Sequence, residues 1–331
     1  MSGERGAEPS ATTGVQYVEV SAERAGQRLD NFLLGQLKDL PRPHVYRILR
    51  TGEVRVNGRR AKPDYRVQTG DQVRLPPLQR APATEPTVPP PGLMGEVAGR
   101  ILYEDDRLLV VNKPAGLAVH AGTGVAYGLV DVLRALRPHC PDLNLAHRLD
   151  RGTSGCLVVA KTRADLLLLN RVFADRACEK VYVALTAGHW AQARTVLRQA
   201  LDVAHREQGE RRVRVDDTHG QEAVSRFQEI ERLPGASLMR VVIDTGRTHQ
   251  IRVHASAAGH ALAGDDRYGD RDFNRRMARL GLRRLFLHAA ELVLPLGEGK
   301  PLRLKAPLPA DLAQFLAALR ASTPPVLQGR S

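Results

Sequence analysis

The chain has 331 residues and carries 49 Lys and Arg against 36 Asp and Glu, a formal net charge of +13. That length accommodates a large core plus an accessory module, in one to three domains, and the positive surplus points to a polyanionic partner, because neutralising phosphates releases condensed counterions. The scattered Cys140, Cys156 and Cys178 form no C-x-x-C pair, which excludes a disulfide framework and a cysteine zinc site. No apolar run is long enough to span a bilayer and the polar start has no signal-peptide core, so a soluble cytoplasmic protein is expected.

Residues 1–16 are small, polar and unpatterned, and are expected to be disordered. From residue 17 the pattern becomes regular. Leu29, Phe32, Leu33 and Leu37 recur at helical spacing, and after Pro41-Arg42-Pro43 a second short helix offers Val45, Ile48 and Leu49 to the same core. Asn57-Gly58, set between extended residues from Val54 to Arg60, is a hairpin signal, and Gln72-Val73-Arg74-Leu75 follows as a strand. Between Pro41 and Arg66 eight Lys or Arg stand against only Glu53 and Asp64, so the module 17–75 has one basic face. It resembles the S-four RNA-binding domain, a small αα-β unit. The resemblance implies RNA contacts from Arg42, His44, Arg47, Arg50, Arg55, Arg59, Arg60 and Lys62.

Residues 76–99 are proline-rich, with Pro76, Pro77, Pro82, Pro86, Pro89, Pro90 and Pro91, and read as an extended, semi-stiff spacer that marks a domain boundary. The second domain, 100–320, opens with two strands about an Asp105-Asp106 turn, the second closed by Pro114. A helix from about Leu129 to Arg137 leads to His147-Arg148-Leu149-Asp150-Arg151-Gly152-Thr153-Ser154-Gly155 and then an apolar run that reads as a buried strand. One carboxylate stands between two arginines in a glycine- and hydroxyl-rich loop. Arg148 and Arg151 would favour its ionised form, although those residues alone also suit an ordinary Arg–Asp pair in a turn.

A helix over 166–173 and an alternating strand from Lys180 to Leu185 come next, in which Tyr182 is by default a core aromatic. A strand ending at Ile243 runs into Thr245-Gly246-Arg247-Thr248-His249-Gln250-Ile251-Arg252-Val253-His254. His249 and His254 lack the H-E-x-x-H spacing and its glutamate, so no metal is expected. After Gly264-Asp265-Asp266-Arg267-Tyr268-Gly269-Asp270, residues 273–284 hold five arginines and no acid. Arg275, Arg276, Arg279 and Arg283 then fall roughly on one helical face and suit phosphate contact. A strand over 285–289, a helix over 310–319 and a tail, 321–331, complete the chain.

The nonamer around Asp150 resembles the HRLD-x-x-T-S-G signature of the RluA-type pseudouridine synthases. Three further stretches are similar to motifs of that family: L-V-V-N-K-P-A-G-L-A-V-H from Leu109, which brings Lys113 and His120 near the site; K-V-Y-V-A-L from Lys180; and G-R-T-H-Q-I-R-V-H from Gly246. R-L-F-L-H-A and D-D-R-Y-G-D most resemble the RluC branch, which acts on large-subunit ribosomal RNA. The resemblance implies that Asp150 is catalytic, that Tyr182 packs on the target uracil, and that Arg252 pairs with the aspartate. It further implies that Arg148, with His147 beside it, serves base flipping, and that Leu287 forms an apolar wall. The implied fold is α+β: a mixed, largely antiparallel sheet with flanking helices and a central cleft, preceded by the S-four-like domain.

Pseudouridine formation breaks a carbon–nitrogen glycosidic bond, turns the uracil and rejoins it through C5. No electrons are exchanged, so no cofactor is expected, and the expected partner is RNA, bound by a monomer. Whether the aspartate attacks the sugar, attacks ring carbon C6 or favours a glycal path stays open. Two rivals remain. One is a catalytically inert RNA-binding or ribosome-assembly factor. The other is an S-four-bearing methyltransferase, which should carry a glycine-rich nucleotide loop that this sequence lacks.

Overall fold

A computed structural model describes residues 14–37, 40, 42–77, 88–121, 126–203, 206–207, 210–297 and 299–322, and the chain divides between Val88 and Pro89 into two compact units. In the first, the helices Leu29–Gln36 and Arg42–Thr51 bury Leu29, Phe32, Leu33, Val45, Ile48 and Leu49 against Val54, Val67, Val73 and Leu75. Each large aliphatic or aromatic side chain so buried contributes roughly 1.5–3 kcal/mol. The helical spacing thus describes the core it was read from.

Two details differ from expectation. Gln16–Glu19 is already a strand, paired with Gln72–Leu75 from Gln16 opposite Leu75, so order begins before residue 17. The Asn-Gly turn forms, with Asn57 at φ 50° and Gly58 at φ 76°, but the hairpin closes with a single bridge between Val56 and Arg59. Arg55–Val56 instead pairs with Gln72–Leu75, giving a three-stranded sheet. Asp71 decides this. Its carboxylate accepts from the Asn57 amide, the Tyr65 hydroxyl and the Gln68 N–H at 2.8–3.0 Å, tying the turn to the distant strand.

The second unit is built on an eleven-stranded sheet. Along its main path the order is Arg214–Val215, Arg194–Asp202, Gln221–Leu233, Ala236–Ile243, Glu179–Ala187, Leu287–Leu294, Ser154–Ala160, Leu108–Lys113 and Ile101–Glu104. Asn144–Leu145 and Leu302–Lys305 pair at its sides. Every ladder is antiparallel except that joining Leu287–Leu294 to Ser154–Ala160, which is parallel.

The central strands are apolar without alternation because both faces are covered. Leu109, Val111, Leu157 and Val159 enter one cluster, while Leu108, Val110, Cys156, Val158 and Ala160 enter another on the opposite face. At the parallel junction Gly155 is obligatory: it sits at φ 117°, and a Cβ there would lie 2.2 Å from the Ala289 carbonyl oxygen. The loop carrying Asp150 ends at this junction.

The proline-rich stretch is corrected at its C-terminal end. Pro91–Ala98 is a helix with proline at its first turn, where a preset φ and a missing N–H are tolerated. Val97 is buried and Leu93 and Met94 pack on the second unit's core. Spacing, not proline content, governs here: Leu93, Met94 and Val97 fall three and four apart. The part of the expected spacer at 78–87 lies outside the described residues, as do residues 1–13 and 323–331. The arginine-rich segment also differs: its helix is Arg271–Arg279, so Arg283 lies beyond it. The helix includes Asp272, which pairs with Arg275. Arg276 lies over the Phe273 ring, and Arg275, Arg276 and Arg279 are exposed.

Candidate functional site

The strand Glu179–Ala187 lies between Ala236–Ile243 and Leu287–Leu294, with Val241 and Ala289 flanking Tyr182 in register. Tyr182 and Leu287 therefore project from adjacent central strands, and with Ile243, Ile251 and Leu149 they form an apolar floor. Above it open Arg148, Asp150, Thr153 and the segment 246–252, all lining one cleft.

Asp150 is a partly shielded carboxylate, its side chain 19% exposed. Among the described residues its ion-pair partners are Arg252, with Nη1 3.6 Å from Oδ2, and His249, with Nε2 3.9 Å from Oδ2. The flanking arginines do not take that place. Arg151 turns away, its Nε donating to the Gly116 carbonyl at 2.9 Å, and Arg148 is exposed in the cleft lining.

Arg252 in turn is held by a residue that sequence reasoning passed over. Its Nε and Nη2 donate to the two carboxylate oxygens of Asp265, both at 2.7 Å. Asp265 has a fully buried side chain and also accepts the N–H groups of Arg267 and Tyr268. Burial alone would raise the Asp265 pKa, but Arg252 and the two N–H groups hold it below the usual carboxylate range. Arg252 is thus a fixed charge with one nitrogen left for Asp150. The D-D-R-Y-G-D stretch contained the signal, since its first aspartate needed a cation and its tyrosine supplies a ring 5.1 Å from the Arg252 guanidinium.

The loop before the helix Gln250–Ala257 is set by Gln250. Its amide oxygen accepts from the Thr245 hydroxyl and the Arg247 N–H, and its amide nitrogen donates to the Val224 carbonyl and the Ser225 hydroxyl. His249 is left in a left-handed conformation, φ 54°, a strain of about 1–3 kcal/mol that the surrounding bonds hold in place. His254 lies apart, buried, with Nδ1 bonded to the Ser225 hydroxyl. The two histidines do not converge on one point.

Lys113 supports the loop from beneath. Fully buried, its Nζ donates to the carbonyls of Pro114, Leu117 and Arg151 at 2.8–3.2 Å. Burial pulls its pKa down to about 7 against the opposing attraction of Asp150. Three accepting carbonyls use all three protons of an ammonium and would leave one unsatisfied beside a neutral amine, so we take it as charged.

His147 is a correction. It does not line the cleft: its Nε2 accepts the Val158 N–H at 3.0 Å and its ring packs on Phe173, 4.8 Å between centroids. Burial and neighbouring Lys180 push its pKa down to about 3, so it is a neutral structural acceptor. Tyr182 is buried, and burial together with the charge of Asp150 raises its pKa, keeping the phenol protonated.

In the first unit Arg47, Arg50, Arg55, Arg59, Arg60 and Lys62 are exposed and His44 is half-buried, while the Arg42 side chain lies outside the described residues. Arg60 has a structural role as well. It donates to the Thr51 carbonyl at 2.6 Å, lying where any Cβ on Gly52 would strike it.

Comparison with known proteins accounts for this arrangement. A family model for RNA pseudouridylate synthase matches residues 107–257, and an S4 domain model matches 27–73. The "Ribosomal large subunit pseudouridine synthase C" of Escherichia coli (strain K12) is 47% identical over 313 residues, 93% of this chain and 98% of that protein. The chain belongs to the RNA pseudouridylate synthase family. The synthase of the same name from Vibrio cholerae (serotype O1, El Tor Inaba N16961) is 45% identical over 314 residues, again 93% of this chain and 98% of the relative. The solved human RNA Pseudouridylate Synthase Domain Containing 4 superposes with a TM-score of 0.57 at 27% identity, over 70% of this chain and 97% of its own. The mixed sheet and cleft are therefore those of a pseudouridylate synthase, carried here with an N-terminal S4 domain.

Proposed function

We propose that this synthase isomerises uridines of large-subunit ribosomal RNA to pseudouridine, with Asp150 as the catalytic residue. The observation that carries the assignment is a single carboxylate, held by a fixed arginine, over an apolar floor that includes Tyr182. The reaction is balanced within the substrate: the C1′–N1 bond breaks, the uracil turns, C1′ bonds to C5, and the C5 proton is exchanged for one on N1. The enzyme must supply a carboxylate that attacks or stabilises the separating fragments, a pocket that retains the base, and a route for the proton.

Arg252 aims the Asp150 carboxylate. Tyr182 and Leu287 form the surface on which the uracil rests and turns, since a protonated phenol and an aliphatic wall grip a ring without anchoring one edge. The target must leave its stack at a cost of a few kcal/mol, and Arg148, exposed among the cleft residues, is placed to occupy the vacancy. The exposed Arg47, Arg50, Arg55, Arg59, Arg60 and Lys62 of the first unit, with the half-buried His44 and with Arg42, and Arg275, Arg276 and Arg279 of the second, contact phosphates. The relatives' ribosomal names favour the cytoplasm as its place of action.

The test is to map pseudouridine in large-subunit ribosomal RNA from cells with the protein, without it, and with Asp150→Asn. Specific sites should vanish in the second and third. A D150N protein that restores them defeats the proposal.

A further inference from the structure

The sequence presents His249 only as a metal ligand without partners, yet in the fold it lines the same cleft as Asp150 and faces its carboxylate. Its protonation pattern can be worked out from its neighbours. The Val213 N–H donates to the Tyr268 hydroxyl oxygen at 3.1 Å, which leaves the tyrosine proton to be given to His249 Nδ1, 2.9 Å away. With Nδ1 accepting, the imidazole proton sits on Nε2. That nitrogen is the one 3.9 Å from Asp150 Oδ2, the same oxygen that Arg252 Nη1 approaches at 3.6 Å. Both groups approach the Asp150 carboxylate at Oδ2.

We propose that His249, fixed by Tyr268, is a positioning residue that with Arg252 holds and aims the Asp150 carboxylate. The inference rests on Asp150 being the catalytic residue. Both contacts are long for hydrogen bonds, and bound substrate should shorten them, because catalytic hydrogen bonds commonly tighten in the Michaelis complex. Tyr268 coordinates both donors: its ring lies under the Arg252 guanidinium, its hydroxyl sets His249, and its N–H binds Asp265, which grips Arg252. One tyrosine therefore registers the two groups relative to each other. The left-handed backbone at His249 is the local cost of turning the ring inward.

Proton uptake disrupts the arrangement. A protonated Nδ1 meets the Tyr268 O–H donor to donor, and an imidazolium draws Asp150 into a closed ion pair. Burial lowers the His249 pKa below 6.5; Asp150 and Asp265 oppose this while Arg252 and Arg267 add to it. The kcat of the wild-type protein should therefore fall along an acid limb centred below pH 6.5.

The experiment measures single-turnover rate against pH, RNA affinity and thermal unfolding for full-length wild type, His249→Phe, His249→Gln, Tyr268→Phe and Asp150→Asn on a large-subunit RNA transcript. H249F, which keeps bulk but cannot donate, should lower the rate roughly 10- to 100-fold, the scale of one hydrogen bond to a charged group, with affinity unchanged. H249Q, whose amide N–H replaces Nε2–H, should recover most of the rate and lose the acid limb. Y268F should move the limb to higher pH, because neutral Nδ1 loses its donor. Wild-type rates in H249F, or an acid limb that persists in H249Q, overturn the inference. Should H249F fail to fold, an unmoved limb in Y268F overturns it equally. An active D150N would instead defeat the functional proposal, whereas a dead D150N beside a fully active H249F defeats only the role of His249.

Discussion

Arg252 and the arginines on the helix Arg42–Thr51 carry the same charge in opposite settings. Arg252 is nearly buried, with Asp265, Asp150 and the Tyr268 ring on its faces, and its rotamer is dictated by a carboxylate that has no solvent contact. Arg47 and Arg50 stand in water, and the Arg47 contact to the half-buried Glu53, at 3.5 Å, adds little to stability. A buried guanidinium aims one atom at one place. An exposed row instead lowers the free energy of any phosphate backbone lying across it, in a salt-dependent way.

Substitutions should separate these two uses. The largest effect is expected at the cleft, where Asp150→Asn should lower the isomerisation rate roughly a thousandfold or more while leaving the melting temperature and RNA affinity near wild type. Asp265→Ala should follow, because removing one partner of a buried pair costs about 3–5 kcal/mol. Both stability, read by thermal unfolding, and kcat should fall together, and a loss confined to RNA affinity would contradict the assignment of Arg252 as a fixed charge.

Acid should act on the second unit before the first. Among the described residues the His254 Nε2 is buried without a partner, and burial pushes its pKa down from 6.5 to about 4. Between those values the unfolded chain binds more protons than the folded one, so stability falls as pH drops through that window, by a few kcal/mol at about 1.4 per unit. Asp71 in the first unit has a carboxylate lowered from 3.8, so its stabilisation is lost only at lower pH. The single tryptophan, Trp190, lies in the second unit, and its fluorescence should report unfolding midpoints shifting to lower denaturant as the pH falls from 6.5 to 4. His254→Asn should flatten that dependence.

The exposed region should respond more gently. A combined Arg50→Ala, Arg55→Ala, Arg59→Ala variant should weaken RNA binding, and its logarithmic salt slope should become shallower by about one for each phosphate left without its arginine. Its rate at saturating RNA should not change. Smallest of all, Arg276→Ala should alter affinity by a factor of a few, since that guanidinium already rests on Phe273.

Periodicity and punctuation are enough to outline both units. The aliphatic residues of Leu29–Gln36 and Arg42–Thr51, the two-sided apolar runs of Leu108–Lys113 and Ser154–Ala160, and the loop bearing Asp150 can all be read from local order, because side-chain period and burial are coupled over a few residues. The helix at Pro91–Ala98 escapes such a reading when proline content is set above the spacing of Leu93, Met94 and Val97.

Partnership is another matter. Chain order places Arg151 beside Asp150, and the fold turns it to Gly116. His147 and Arg148 are neighbours in the chain, and the strand pairing of residues 144–146 sends them to opposite sides. Asp265 and Tyr268 reach Arg252 and His249 only because separate loops converge over the sheet. Local sequence therefore determined which elements form and which faces they bury, since those depend on period and propensity within one segment. Which charge meets which was decided by the tertiary structure, since an ion pair depends on distances between segments that no local pattern records.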